Sequence, residues 1–419
     1  MNKKERENII ALIKREVVPA IGCTEPMAVA LCTAKATEKL GRKPASISVL
    51  LSANILKNAM GVGIPGTGMV GLPIAIALGS ICGKSEYGLE VLRDCKPECV
   101  EKGKKFIASH PISIGLKKDI REKLYIEVTC TADDGTKATA RIARTHTNFV
   151  DDSWTDSSAE QEVLDENNLS LRKVYDFATT APLEEIDFIN EARRLNENAA
   201  VEALKGNYGH QLGKTLSRPL GRGIMGESIF SHILSATSAA CDARMAGAMI
   251  PVMSNSGSGN QGIAATLPVV VFARENHNTE EELTRALILS HLTAIYIKQS
   301  LGRLSALCGC VVASTGSACG ITYLMRGTYE QVAYSVKNMI ANLAGMVCDG
   351  AKPSCALKVS SGVSTAVLSA MLAVQNRYVT SVEGLIDDDV DKSIHNLTRI
   401  GHDGMDDTDH MVLDIMTSK

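Results

Sequence analysis

The sequence predicts an α+β protein, mainly a helical bundle joined to a smaller mixed α/β lobe that contains a hairpin. Three observations carry that expectation. Apolar residues keep a helical period from Leu183 to the carboxyl end, short alternating runs flank Asp134-Gly135, and an acidic, serine-containing stretch from Asp151 to Asn168 separates the two patterns. At 419 residues the chain has room for two or three lobes, and 45% hydrophobic with 22% charged residues excludes disorder for most of it.

Taken in order, Ile9, Ile10, Ile13, Val17 and Val18 place a helix over residues 3–17, and a second follows from Pro26 to Leu40. Between them lies Ile21-Gly22-Cys23-Thr24-Glu25-Pro26. Thr24 is expected to cap a helix opened by Pro26, because a proline at the first helical position loses no hydrogen bond. Cys23 would then sit at a helix amino terminus, where backbone dipoles favour a thiolate. A strand over 46–51, a helical turn over 54–60, a glycine loop over 61–68 and two further helices come next. Residues 111–115 and 123–131 read as strands, and Asp134-Gly135 leads into the alternating run Thr136 to Thr145 as a hairpin. The carboxyl half is broken at 206–209, 221–223 and 255–262. These boundaries predict amino-terminal helices (1–43) packing on the helical lobe, a mixed lobe (44–150), a connection (151–182) and a helical domain (183–419).

A net charge of −3 and 4% aromatic content leave no basic field or stacking platforms, so nucleic acid is excluded as a partner. The uncharged stretches 58–83, 245–273 and 304–325 are interrupted by Gly, Pro, Asn and Ser, so no membrane span is expected from them. Their Ala, Ser and Gly suit helices buried in close contact. The amino terminus has no apolar run with a cleavage site, and a cytoplasmic location is expected. Twelve cysteines in such a chain are not a disulfide framework. Cys32, Cys82, Cys130 and Cys241 read as small core hydrophobes.

Several motifs fail on context. Gly61-x-Gly63-x-x-Gly66 follows a helix rather than a strand and is broken by Pro65, so it is a turn and not a dinucleotide site. Gly79 to Ser85 is one residue short of a phosphate loop. The run His402 to His410 has metal-ligand residue types without a fitting spacing and reads as a solvated acidic turn.

Two regions are more informative. Cys308, Cys310, Cys319, Cys348 and Cys355 cluster in sequence, with Cys348 and Cys355 bracketing the turn-forming Asp349-Gly350-Ala351-Lys352-Pro353-Ser354. On spacing alone a [4Fe-4S] cluster with one open iron, a zinc site and inert core thiols are all admissible. The loop Ser254 to Gly262 precedes an apolar helix, where exposed amides form an anion site or the loop is structural. Lys352 and Lys358 lack a phosphate-binding context for a Schiff base and read as surface or carboxylate-pairing groups. His146, at a strand end, reads as structural.

Ile-Gly-Cys-Thr-Glu-Pro at 21–26, Asn-Ser-Gly-Ser-Gly-Asn-Gln-Gly at 255–262 and Cys-Asp-Gly-Ala-Lys-Pro-Ser-Cys at 348–355 resemble the L-cysteine desulfidase family, which is related to the α chain of the iron-sulfur L-serine dehydratases. The likeness runs in order over nearly the whole chain. It implies a lyase that converts L-cysteine to pyruvate, ammonia and hydrogen sulfide without pyridoxal phosphate. It further implies a [4Fe-4S] cluster on Cys348, Cys355 and Cys308, with Cys310 as the alternative third ligand. Cys23 matches the family's remote cysteine, a catalytic base or resting ligand of the open iron. With this chemistry the substrate carboxylate would meet the amides of Ser256, Gly257, Ser258 and Gly259, with Asn255 and Asn260 as side-chain donors and Thr24 nearby. Classical serine dehydratases have a serine-rich, histidine-containing stretch at the position of Cys23-Thr24-Glu25, and many end in cysteine. This chain ends Met-Thr-Ser-Lys, which points to cysteine over serine. A small amino acid is the expected partner, and a homo-oligomer is an open expectation.

Overall fold

The computed structural model describes residues 1–118, 120–156, 168–302 and 305–418. Its first half runs α1 (Lys3–Glu16), β1 (Pro19–Ala20), α2 (Thr24–Leu40), β2 (Ser46–Leu51), α3 (Ala53–Ala59), α4 (Leu72–Ile81), α5 (Pro97–Ser109), β3 (Ile112–Leu116), β4 (Tyr125–Thr131), β5 (Lys137–Ala143) and β6 (Phe149–Val150). The second half is α6 (Leu171–Thr180), α7 (Leu183–Ile186), α8 (Asn190–Lys205), α9 (Leu212–Ser217), α10 (Pro219–Met225), α11 (Ile229–Met245), β7 (Val252–Met253), α12 (Gly259–Glu275), α13 (Glu280–Leu301), α14 (Gly309–Leu324), α15 (Tyr329–Leu343), α16 (Cys355–Val374), α17 (Val390–Arg399) and α18 (Asp406–Thr417). This is the α+β, mainly helical architecture the periodicity predicts.

The sheet has the order β3-β2-β4-β5-β6. β2 and β3 are parallel and the remaining pairs antiparallel, with Val49 opposite Val128 and Val128 opposite Ala140. Alternation turns Ile47, Val49, Leu51, Ile126, Val128, Cys130, Ala140 and Ile142 to one apolar face. The β4–β5 hairpin closes where Gly135 takes a positive φ of 84°, a conformation that glycine adopts without a Cβ clash.

The helical core is centred on α14, buried at nearly every position and flanked by α12, α13, α15 and α16. Its Gly, Ala, Ser, Thr and Cys residues keep the helix thin enough for four neighbours to approach it. α16 is long and apolar enough by length and composition to cross a membrane, but half of it is buried against this core.

The packing departs from the sequence-based boundaries in three places. α1 joins the helical core, but α2 packs on the sheet and α4, because Met27 to Ala36 is small and apolar on almost every side. The expected connection 151–182 contains α6, whose Leu171, Val174, Phe177 and Ala178 enter the helical core at helical spacing; residues 157–167 lie outside the described residues. At the other end Leu413 of α18 reaches back into the α/β core. The acidic run at 402–410 is likewise no plain solvated turn: Asp409 is ion-paired with Lys57 of α3, whose side chain is 1% exposed.

Candidate active site

Two short antiparallel contacts assemble the site from remote pieces of sequence. β1 pairs with β7, setting Pro19 opposite Met253 and Ala20 opposite Val252, and the pairing continues as Ser254 N–H to Val18 O (2.9 Å) and Ser256 N–H to Glu16 O (2.9 Å). The Cys23 turn therefore lies beside the 255–262 loop. A bridge between Leu307 and Val347 does the same for the thiols, with Cys308 N–H donating to Met346 O (2.9 Å) and Cys348 N–H to Ala306 O (2.6 Å).

The result is a cavity of about 130 Å³ whose lining includes Cys23, Cys308, Cys310, Cys348 and Cys355. Four helix amino termini converge on it. Cys23 is the N-cap of α2, Ser258 of α12 and Cys308 of α14, and Cys355 is the first residue of α16. Unpaired first-turn amides give each terminus a partial positive charge, and Arg244, Lys298 and Lys358 add full ones to the wall. Glu25 is the carboxylate among the lining residues. A wall of this charge suits thiolates and the carboxylate of a small ligand.

The thiols differ in their surroundings. The mutual influence of the Cys308 and Cys348 thiols, with Lys57 and Lys358 nearby, draws the Cys348 thiol below the ordinary thiol range and pushes Cys308 above it. Burial raises Cys355. The Cys310 thiol turns away to the Lys358 carbonyl (3.2 Å), and burial lifts it to about 11. Gly350 lets the Cys348–Cys355 turn close: its φ is 87°, and a Cβ there would strike the Lys57 carbonyl. Lys352 and Lys358 both pair with Asp349, the carboxylate-pairing role expected of them, and against its burial they hold it at about 2.

Cys23 contradicts one expectation. The helix starts at Thr24, with Cys23 and not Thr24 as its cap, and Pro26 sits third, still within the turn whose N–H groups need no partner. Despite that position the Cys23 thiol lies well above the ordinary range, because burial and then the Glu25 carboxylate oppose its charge while Arg244 only partly offsets them. Its Sγ donates to Glu25 Oε2 (3.2 Å).

The 255–262 loop also sorts itself. Asn255 is fully buried outside the cavity, donating to His291, whose burial keeps its pKa down at about 3. The Ser256 amide is taken by Glu16 and that of Ser258 by Asn255, leaving the amides of Gly257, Gly259 and Asn260 without an acceptor among the described residues. Ser256, Gly257, Ser258 and Asn260 line the cavity, whereas Thr24 lines a neighbouring one and donates to Glu25.

Sequence reasoning missed Arg244. It is 4% exposed, donates to Gly22 O (3.0 Å) and Asn260 Oδ1 (3.2 Å), and leaves its Nε without a partner in the buried site. Its Nε lies so close to Gly259 that any Cβ there would displace it. No local pattern marks an arginine inside a small-residue helix as functional. Glu25, His146, Asn58, Lys298 and Gln261 also line the wall, and His146 lines the neighbouring cavity too.

A family model described as serine dehydratase alpha chain matches residues 86–414. The chain belongs to the serine dehydratase alpha chain family. Over their full lengths it is 69% identical to a UPF0597 protein of Bacteroides fragilis. It is 70% identical to one of Bacteroides thetaiotaomicron, covering all of this chain and 99% of that one, and 54% identical to one of Porphyromonas gingivalis, covering all of both. Within this serine dehydratase alpha chain fold, Cys308, Cys348 and Cys355 come from the matched region, and Cys23 from the segment ahead of it.

Proposed function

We propose that this chain is a lyase that eliminates sulfide from L-cysteine, yielding pyruvate, ammonia and hydrogen sulfide, with a [4Fe-4S] cluster held by Cys308, Cys348 and Cys355. One observation carries the reading: these thiols, Cys23 and the loop residues Gly257 and Asn260, whose amides have no acceptor among the described residues, line a single small cavity. The donor set fits the group. A lone zinc ion bonds sulfurs at ~2.3 Å and needs them to close around one point. Among the described residues the pocket thiols do not form such a closed set, whereas a cubane presents a separate iron to each thiolate. When bound, the cluster supplies an iron free of protein ligands that acts as a Lewis acid towards the departing sulfur.

The chain's own groups do the rest. Arg244 and the amides of Gly257 and Asn260 bind the substrate carboxylate and fix Cα. Cys23 removes the α-proton as a thiolate: its raised pKa makes the thiolate a stronger base, and the thiol so formed donates to Glu25 Oε2. The small cavity limits the substrate to a short side chain. A cytoplasmic location and assembly into a homo-oligomer belong to the same proposal.

Anaerobic purification followed by iron and labile-sulfide analysis, together with pyruvate formation from L-cysteine and from L-serine, tests it. Four irons per chain and faster turnover of L-cysteine are expected. A colourless, iron-free protein fully active on cysteine would overturn the cluster. The family description favours L-serine as the second reading, and a higher kcat/KM for serine would select it.

A further inference from the structure

A second group of cysteines lies outside the cavity. Cys82 is the C-cap of α4, Cys95 sits in the turn that its own amide closes onto Leu92 O (2.9 Å), and Cys99 is the third residue of α5. Their three sulfurs all lie within 4.8 Å of one another, and no other trio of His, Cys, Asp or Glu side chains among the described residues does so. All three thiols are free and half-buried, packed beside the α/β core rather than inside it. Cys82 thus packs against the apolar core, as its sequence context suggests, but at its half-buried edge and beside two other thiols.

We propose that Cys82, Cys95 and Cys99 bind a single zinc ion on the α/β lobe, independently of the active-site cysteines. Tetrahedral bonds of ~2.3 Å from one zinc place its sulfur ligands roughly 3.8 Å apart, inside the limit that the trio meets. Soft thiolates select zinc over magnesium or calcium, and no histidine or carboxylate joins the trio among the described residues, so the fourth position is open to water or a small exogenous ligand. A cubane is the poorer fit, since it attaches each thiolate to a different metal atom and spreads the sulfurs.

The site has a structural consequence. The ion would tie the end of α4 and the start of α5 to the loop between them, and that loop carries Leu89, Glu90, Leu92 and Arg93 into the wall of a cavity of about 450 Å³. The same cavity reaches Cys23 and His146. Zinc at the trio thus holds one wall of the space beside the base in place without touching it.

The test uses the full chain, purified anaerobically, with zinc and iron measured on the same sample and cobalt(II) as an optical probe. Wild-type protein should retain about one zinc per chain against a weak chelator and give the intense d–d bands of tetrahedral thiolate–cobalt. Cys95→Ser and Cys99→Ser should each lose at least tenfold in zinc affinity while keeping the wild-type iron content. Cys348→Ala should keep the zinc. Zinc content unchanged in both serine variants, or a disulfide among the three in the anaerobic protein, would overturn the proposal whatever the state of the cluster.

Discussion

The cysteines of the cavity and those of the α/β lobe arrive at proximity by different routes. Cys308, Cys348 and Cys355 are placed by a backbone bridge and a tight turn, lie beside four helix amino termini and three cationic side chains, and are not among the groups of ligand atoms that close within 4.8 Å among the described residues. Cys82, Cys95 and Cys99 are gathered by a loop between two helices, lie half-exposed, and close within 4.8 Å. Thiol number and residue spacing are thus poor guides to metal chemistry. The separation of the sulfurs and the charge around them discriminate between a site built for a multi-iron group with a bound anion and a site for one ion.

The sharpest way to break this contrast is Cys348→Ala. Iron should fall with pyruvate formation, the rate by ~10³-fold as the site loses its stabilisation of leaving-group charge; loss of zinc along with the iron would mean that the two sites are not independent. Next, Cys23→Ala should cost on the order of 10²-fold in kcat with iron content intact, the signature of a lost base rather than a lost ligand. Its partner supplies a pH test. Because the Glu25 carboxylate raises the Cys23 pKa, Glu25→Gln removes negative charge, lowers that pKa and should move the acid limb of the kcat/KM profile to lower pH. A limb that stays put would remove Cys23 from the proton step.

Arg244→Lys sharpens the anion side of the comparison. A lysine lacks the planar fork that reaches both Gly22 and Asn260, so KM should rise by ~10-fold with a smaller change in kcat, measured by pyruvate formation at varied substrate. The smallest effect is expected of Cys310→Ala. With its thiol directed to the Lys358 carbonyl, its loss should leave four irons and change activity by less than ~3-fold. Loss of iron in that variant would exchange Cys310 for Cys308 as the third ligand.

The legible part of the site was the part written in contiguous motifs. Cys348 to Cys355, Cys23 and the 255–262 loop each announce a turn at a helix start, and all three reach the cavity. Asn255 and Thr24 carry the same local signature but point elsewhere, one to His291 and the other to Glu25. Arg244 and the Cys82 trio had no signature, because a single arginine in a helix and three cysteines at unequal spacing look like ordinary packing until the chain is folded.

By itself the sequence determined the fold class, the hairpin, the small-residue helix at the core and the turns that carry the pocket cysteines, since these follow from periodicity and backbone chemistry over a few residues. Only the tertiary structure decided which lobe α2 joins, which amides of the glycine loop stay free, how strongly Cys23 resists ionisation, and that Lys57 is buried against Asp409. The physical reason is common to all four. Burial, charge–charge contact and hydrogen-bond pairing depend on the distance between groups remote in the chain, and nothing in the order of residues states that distance.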